Sequence, residues 1–335
     1  MAPFAVEVTR GGLVESVHRV SAVAVDHADR LVAVSGDPGL VTFWRSAAKP
    51  FQILPLLEDG AVDRFGLSDE DLAIACASHS SEPFHLEAVD RFLAKVGLKE
   101  TALACGPHVP LGTEVARQVI RSGQTLTPRW SNCSGKHTGM LALAKHHGWG
   151  LESYERAGHP VQTRIQAEVE QWTGLNSANL VSAIDGCTTV CFGLPLRAMA
   201  LAYARFAVSA GPAATRLRNA MMSHPHLVAG TKRLCTDLMR AWPGGLVAKI
   251  GAEGVYCVAV PSLGWGVALK VEDGDMGTVG VAIIAVLRQL LSQAGTNPEA
   301  LGAIGGLHEH ATPLVKTTRA EVVGEVRAAG KLEFS

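Results

Sequence analysis

The first forty residues alternate apolar and polar positions in three runs, Phe4–Val8, Val20–Val25 and Leu31–Val34. A period of two puts every second side chain on one face of an extended chain, so each run predicts a half-buried strand. Gly11-Gly12 and His27–Arg30 supply turn signals between them, and the three runs read as an antiparallel meander. Beyond these runs the period lengthens to that of a helix. Helices are predicted over Ala47–Glu58, Ser68–Ala75, Pro83–Val96, Leu111–Ser122, Thr138–His146, Pro160–Thr173 and Leu196–Ala210. Ser68 and Asp71 have the spacing of a capping box, which sets the start of the second helix. After Pro243-Gly244-Gly245, short β-branched runs return at Leu246–Ile250, Val255–Val260 and Gly266–Val271. An apolar helix over Thr278–Ala294 follows, and Leu314–Glu333 reads either as a last strand or as an irregular tail.

Strands at both ends with helices between them predict an α+β fold. The antiparallel sheet would come from about residues 1–45 and 244–335, and the helical region from about 46–243, in one domain of 335 residues. No Pro/Ser/Gly-rich linker and no internal repeat divides the chain.

Composition narrows the function classes. With 47% apolar and 18% charged residues and a net charge of -1, the chain has the balance of a globular protein with a sizeable core. It lacks the basic stripe that nucleic-acid binding needs. The most apolar run, Val279–Leu291, contains Arg288 and falls short of the roughly 20 residues that span a bilayer. Met1–Gly11 has no basic segment followed by a long apolar one, so the expectation is a cytoplasmic protein without a membrane partner. Seven cysteines at irregular spacing fit reduced thiols, with Cys76, Cys105, Cys191, Cys235 and Cys257 read simply as buried side chains.

Five segments hold side chains that do chemistry. In Arg45-Ser46-Ala47-Ala48-Lys49-Pro50, a helix beginning near Ser46 puts its hydroxyl one turn from the Lys49 amine. That is either a Ser-Lys nucleophile pair or a capping serine with a solvated lysine. Ala77-Ser78-His79-Ser80-Ser81 is a hydroxyl-dense run ahead of a helix, suited either to an oxyanion or to ordinary capping. Asn132-Cys133-Ser134-Gly135-Lys136-His137 groups a thiol, an amine and an imidazole within about one turn. A cysteine near a helix N-terminus is expected to ionise readily and to bind a soft metal. Asp185-Gly186-Cys187 follows an apolar strand over Asn179–Ile184 and offers a second sulfur. Lys249 interrupts the strand Leu246–Ile250, facing either a cleft or water.

Ser46/Lys49, the Ser78 run and Lys249-Ile250-Gly251 stand in the order of the S-x-x-K, middle serine and K-x-G elements of serine β-lactamases and penicillin-binding proteins. The middle element departs from S-D-N and the last from K-T-G. The longer strings, with Pro225-His226-Leu227-Val228-Ala229-Gly230 and Ala248–Gly254 added, resemble the rhizobial-type L-asparaginases from about Val8 to Val271.

That resemblance implies a serine β-lactamase-like fold and hydrolysis of L-asparagine to L-aspartate and ammonia. It implies Ser46 as nucleophile, Lys49 as its base, and Ser78 with Lys249 as a second pair, without settling which lysine serves which serine. It further implies zinc (Zn2+) on Cys133, Lys136 and Cys187, substrate or supporting roles for Arg45, His79, Asn132, His137 and Asp185, and a homodimer. Two alternatives remain at this point: a β-lactamase or peptidase on the same scaffold, and a zinc-binding scaffold without activity.

Overall fold

The computed structural model describes residues 4–295 and 298–335. It divides into two compact units: the described parts of Met1–Ala47, Leu194–Val208 and Asp237–Ser335, and Ala48–Gly193 with Ser209–Thr236.

The first is built on a sheet of nine strands among the described residues. These are β1 (Ala5–Arg10), β2 (Leu13–Asp26), β3 (Leu31–Ser35), β4 (Val247–Ile250), β5 (Val255–Val260), β6 (Trp265–Val271), β7 (Leu314–Lys316), β8 (Val322–Ala329) and β9 (Glu333–Phe334). The order is β7-β8-β1-β2-β6-β5-β4, with β3 on β2 and β9 on β3, and the pairings are antiparallel. Both chain ends therefore build the sheet, as the periodicity predicts.

β2 is longer than the predicted run at Val20–Val25. Its first half, Leu13–Arg19, is largely exposed, while Val20–Asp26 is buried between β6 and β3. Only the buried half needs a recognisable apolar pattern, and only that half is visible in sequence. The segment Leu314–Glu333 resolves into strands: β7 and β8 pair with each other, β8 with β1, and β9 with β3.

The helix Leu196–Val208 packs on β2, β5 and β6. A Cβ on Gly266 would lie 1.9 Å from the Ala200 carbonyl oxygen, so helix and strand meet backbone to backbone there, as only glycine allows.

The second is a helical unit containing α1 (Lys49–Glu58), α2 (Asp69–Ala75), α3 (Pro83–Val96), α4 (Thr113–Ser122), α5 (Ser134–His147), α6 (Pro160–Thr173) and α7 (Pro212–Ser223). α5 lies at its centre, packed on α1, α2, α3 and α6, and every residue from Ser134 to Ala144 is buried. A helix covered all round has no need of an amphipathic stripe, and its sequence shows none.

Several boundaries differ from expectation. α5 begins at Ser134, four residues ahead of the predicted Thr138, with Cys133 at its N-cap. Gly135 and Gly139 are poor helix formers and mask this start. They are placed there by packing: a Cβ on Gly135 would lie 2.1 Å from the Ile74 carbonyl oxygen, so α5 crosses α2 at backbone contact. The predicted Ala47–Glu58 helix opens as a 3-10 turn over Arg45–Ala48 before α1. The capping box is present: Ser68 donates from its backbone N (2.7 Å) and its Oγ (2.9 Å) to Asp71 Oδ2. Val181–Ile184 pairs with Val190–Pro195 as an antiparallel hairpin, closed by Asp185 N donating to the Thr189 carbonyl oxygen at 2.8 Å.

Candidate active site

The first turn of α5 and the tip of that hairpin bring together the sulfurs and nitrogens singled out in sequence. Lys136 Nζ donates to Cys187 Sγ (3.0 Å) and to Thr189 Oγ1 (2.8 Å), and all three side chains are buried. Cys133 and Cys187 share a hydrogen bond that divides one proton unequally. That bond, with burial, pushes the Cys133 thiol well up, while the same bond and the Lys136 charge pull Cys187 far down. Of the two thiols the downward pull falls on Cys187, whereas the sequence pointed to Cys133 at the helix N-terminus. Burial opposes a charge on Lys136, but Cys187 and Cys133 outweigh it and hold the amine above the ordinary lysine range.

His137 is buried beside this group, and burial lowers its proton affinity. Its Nδ1 lies 2.6 Å from Tyr154 Oη, which accepts the Ala104 backbone N–H at 3.0 Å. The tyrosine hydroxyl thus spends its proton on Nδ1, assigning the ring hydrogen to Nε2. That Nε2 is buried without a hydrogen-bond partner of ordinary geometry, and the Cys187 sulfur is the group favouring the charged ring. Asp185 is half-buried at the hairpin tip, where its Oδ1 accepts from Gly186 N at 2.7 Å, and its charge favours the Lys136 ammonium.

A second group forms around Ser78. Lys49, the first residue of α1, is fully buried, so its reading as a solvated lysine falls. Its Nζ makes a short hydrogen bond to the Ala77 carbonyl oxygen and donates to Ser78 Oγ at 3.3 Å. His79 is buried, and burial first, then the neighbouring His85 and Lys49, lower its proton affinity. Its Nδ1 accepts from Ser81 N (3.1 Å), so its Nε2 donates to Ser134 Oγ (2.9 Å), which passes its own proton to the Arg129 carbonyl oxygen (3.0 Å). Both ring nitrogens are committed inside the protein. Asn132 donates from its backbone to His108 Nε2 at 2.9 Å and accepts the His79 N–H at 3.3 Å.

The sheet unit carries Arg45, Ser46 and Lys249. Arg45 has φ 53, a left-handed backbone that a non-glycine residue adopts only under constraint. Ser46 is half-buried in the 3-10 turn that Arg45 opens. Tyr203 Oη donates to the Ala47 carbonyl oxygen in that turn (2.8 Å), and the Tyr203 ring meets Trp44 edge-on with centroids 6.2 Å apart. Lys249 lies on β4 fully buried, which excludes the water-facing alternative, and its Nζ donates to the Ile250 carbonyl oxygen at 2.9 Å.

Among the described residues no three His, Cys, Asp or Glu side chains converge as a metal set. What converges is two sulfurs and the Lys136 amine, with the partnerless His137 Nε2 beside them. Sulfur and nitrogen donors of this kind match the preference of a tetrahedral zinc ion, so the residues present fit that group.

A family model for L-asparaginase II matches residues 6–328. The chain belongs to the L-asparaginase II family. Two solved structures similar to this family member are those of Mglu in its native form and in its tris and glutamate form, at 17% and 19% identity and TM-scores of 0.34 and 0.35. They cover 87% and 86% of this chain, which spans only 64% and 62% of theirs. No curated protein matches the chain. Among the described residues no helix is long and apolar enough to cross a membrane.

Sequence reasoning missed Tyr154, Thr189, Ser134 and His108. Ser134 stands within a string already singled out and Thr189 two residues beyond another, so their neighbours were the only signal. Tyr154 and His108 come from irregular segments, and nothing local announces them.

Proposed function

We propose that this member of the L-asparaginase II family hydrolyses L-asparagine to L-aspartate and ammonia through a serine nucleophile served by lysine. The observation that carries the reading is the fully buried Lys49 amine, 3.3 Å from the hydroxyl of the buried Ser78. A lysine amine at that distance can exchange a proton with a serine hydroxyl, the chemistry that activates a weak nucleophile. The antiparallel sheet built from both chain ends supports a serine β-lactamase-like fold.

In this reading Ser46 Oγ attacks the side-chain amide carbon and its proton passes to Lys49. The proton returns to the amide nitrogen as the carbon–nitrogen bond breaks and ammonia leaves. Water then adds to the aspartyl ester, Ser46 Oγ departs with a proton, and aspartate is released. Ser78, hydrogen-bonded to Lys49, steadies the amine and relays its proton, with Lys249 as the further lysine of the pair. Arg45, Asn132 and Asp185 are the residues that this reading assigns to the substrate. His79 serves as support rather than as a substrate contact, because both its ring nitrogens are already bonded.

Cys133, Lys136 and Cys187 would hold a zinc ion, with His137 beside it. A bound zinc supplies a fixed positive charge for orienting a substrate oxygen. Holding it requires the two cysteines and Lys136 to be without their protons, so affinity falls as pH is lowered. The protein works as a cytoplasmic homodimer, which analytical ultracentrifugation tests.

The deciding experiment is ammonia release from asparagine and from glutamine, with and without prior zinc chelation. Release from asparagine that disappears in Ser46→Ala is the expected result. Near-normal turnover by Ser46→Ala would overturn the nucleophile assignment. Full zinc occupancy with no ammonia from either amide would overturn the activity itself.

A further inference from the structure

The string Pro225–Gly230 has no part in the chemistry above, yet it lies directly against the Ser78 run. The N–H groups of that run alternate in direction, as those of an extended chain do. Ser78 N donates to the Val228 carbonyl oxygen (2.9 Å) and Ser80 N to that of Ala229 (2.9 Å), while His79 N donates to Asn132 (3.3 Å). Ser78 is thus suspended by its main chain between the Pro225–Gly230 segment and the start of α5.

The fit on the first of these sides leaves no slack. Ser80 is fully buried, and a Cβ on Gly230 would lie 2.7 Å from its Oγ, 2.9 Å from its Cβ and 2.5 Å from Glu82 Oε1. Gly230 also has φ 133, a backbone that side chains disfavour. Arg233 Nη1 donates to Ser80 Oγ at 3.0 Å. Thr231 grips both Glu82 oxygens, from its N (2.8 Å) and its Oγ1 (2.6 Å). Thr236 Oγ1 closes the loop, accepting from Gly230 N (3.2 Å) and donating to the Pro225 carbonyl oxygen (2.9 Å).

We propose that the Pro225–Arg233 loop is the element that positions Ser78 against Lys49, with Gly230 and Arg233 as its positioning residues. The inference rests on the reading of Ser78 and Lys49 as a working pair. The loop acts through the Ser78 and Ser80 main chain and through the Ser80 hydroxyl, and a misplacement of about 1 Å at a reacting group costs roughly a hundredfold in rate.

The test uses the full chain and steady-state ammonia release from asparagine. Gly230→Ala is expected to lower kcat about a hundredfold while KM moves less than about threefold and zinc content stays at the wild-type value. Arg233→Met is expected to lower kcat about tenfold, with part of the loss recovered in Arg233→Lys, which restores a donor to Ser80. Ser78→Ala is measured alongside. An inactive Ser78→Ala with wild-type kcat in Gly230→Ala would overturn the positioning role alone. Wild-type turnover in Ser78→Ala would overturn the reading beneath it as well. If circular dichroism shows Gly230→Ala unfolded, the Arg233 variants decide, and equal kcat in Arg233→Met and wild type overturns the inference.

Discussion

Lys49 and Lys136 belong to the same helical unit and are equally buried, at 0% and 1% exposure, yet their partners make them different reagents. Lys136 donates to the Cys187 sulfur and the Thr189 hydroxyl, and the two sulfurs beside it favour its charged form. Lys49 donates to the Ala77 carbonyl and the Ser78 hydroxyl, which are dipoles rather than charges. A lysine held against sulfur is bound up with its partner until something takes its proton. Lys49 has instead a serine hydroxyl within hydrogen-bond reach. Both stand in the first turn of a helix, where a positive charge opposes the helix dipole by about 0.3–1 kcal/mol. Local helix preference does not place a lysine there, so these are positions where the site overrides it.

The strongest way to break this contrast is Lys49→Met, which keeps the buried stem and removes the amine. Ammonia release is expected to fall about a thousandfold, the range of a lost general base, with zinc content unchanged. A drop below tenfold would put the proton chemistry elsewhere. Lys136→Met removes the donor that Cys187 holds in a buried site, so urea unfolding should show a loss of about 3 kcal/mol together with lost zinc. Unchanged stability would mean that the contact with Cys187 is not what holds Lys136.

Gly135→Ala tests the packing that sets the lysine cluster in place. Its added methyl meets the Ile74 carbonyl oxygen at 2.1 Å, so the expected cost is about 2 kcal/mol in the same unfolding experiment. A neutral result would show that α5 and α2 can part there. Tyr154→Phe sharpens the contrast with the smallest effect, because it removes the hydroxyl between His137 and Ala104 and leaves Ser78 untouched. Chelator competition should show zinc held about tenfold more weakly, with about 1 kcal/mol lost in stability. Zinc affinity equal to wild type would separate His137 from the thiol cluster.

Features that depend on near neighbours were legible in the chain. The period-two runs of the first forty residues and the short β-branched runs after Gly245 became strands of one antiparallel sheet, Pro83–Val96 and Pro160–Thr173 became helices with those bounds, and the Ser68–Asp71 cap formed. α5 was legible only from Thr138 onward, because its first turn is built for contact with α2 and its glycines contradict helix propensity. Half of β2 was hidden for a related reason: its exposed residues carry no burial pattern to read. Arg45, Ser46, Lys49, Ser78, Cys133, Lys136, Cys187 and Lys249 all stood out by side-chain type, but type left open which of them touch.

By itself the sequence determined the element types, the sheet made from both chain ends and the short list of reactive side chains. Alternation, helical spacing and capping are set by residues two to four positions apart, and that range is written in the chain. Only the tertiary structure decided that Lys49 reaches Ser78 across 29 positions and that Lys136 reaches Cys187 across 51. It also decided that Cys187 is the sulfur that meets the Lys136 amine. Those outcomes follow from burial and from which dipoles or charges face each group, and both are properties of packing that no local run of residues encodes.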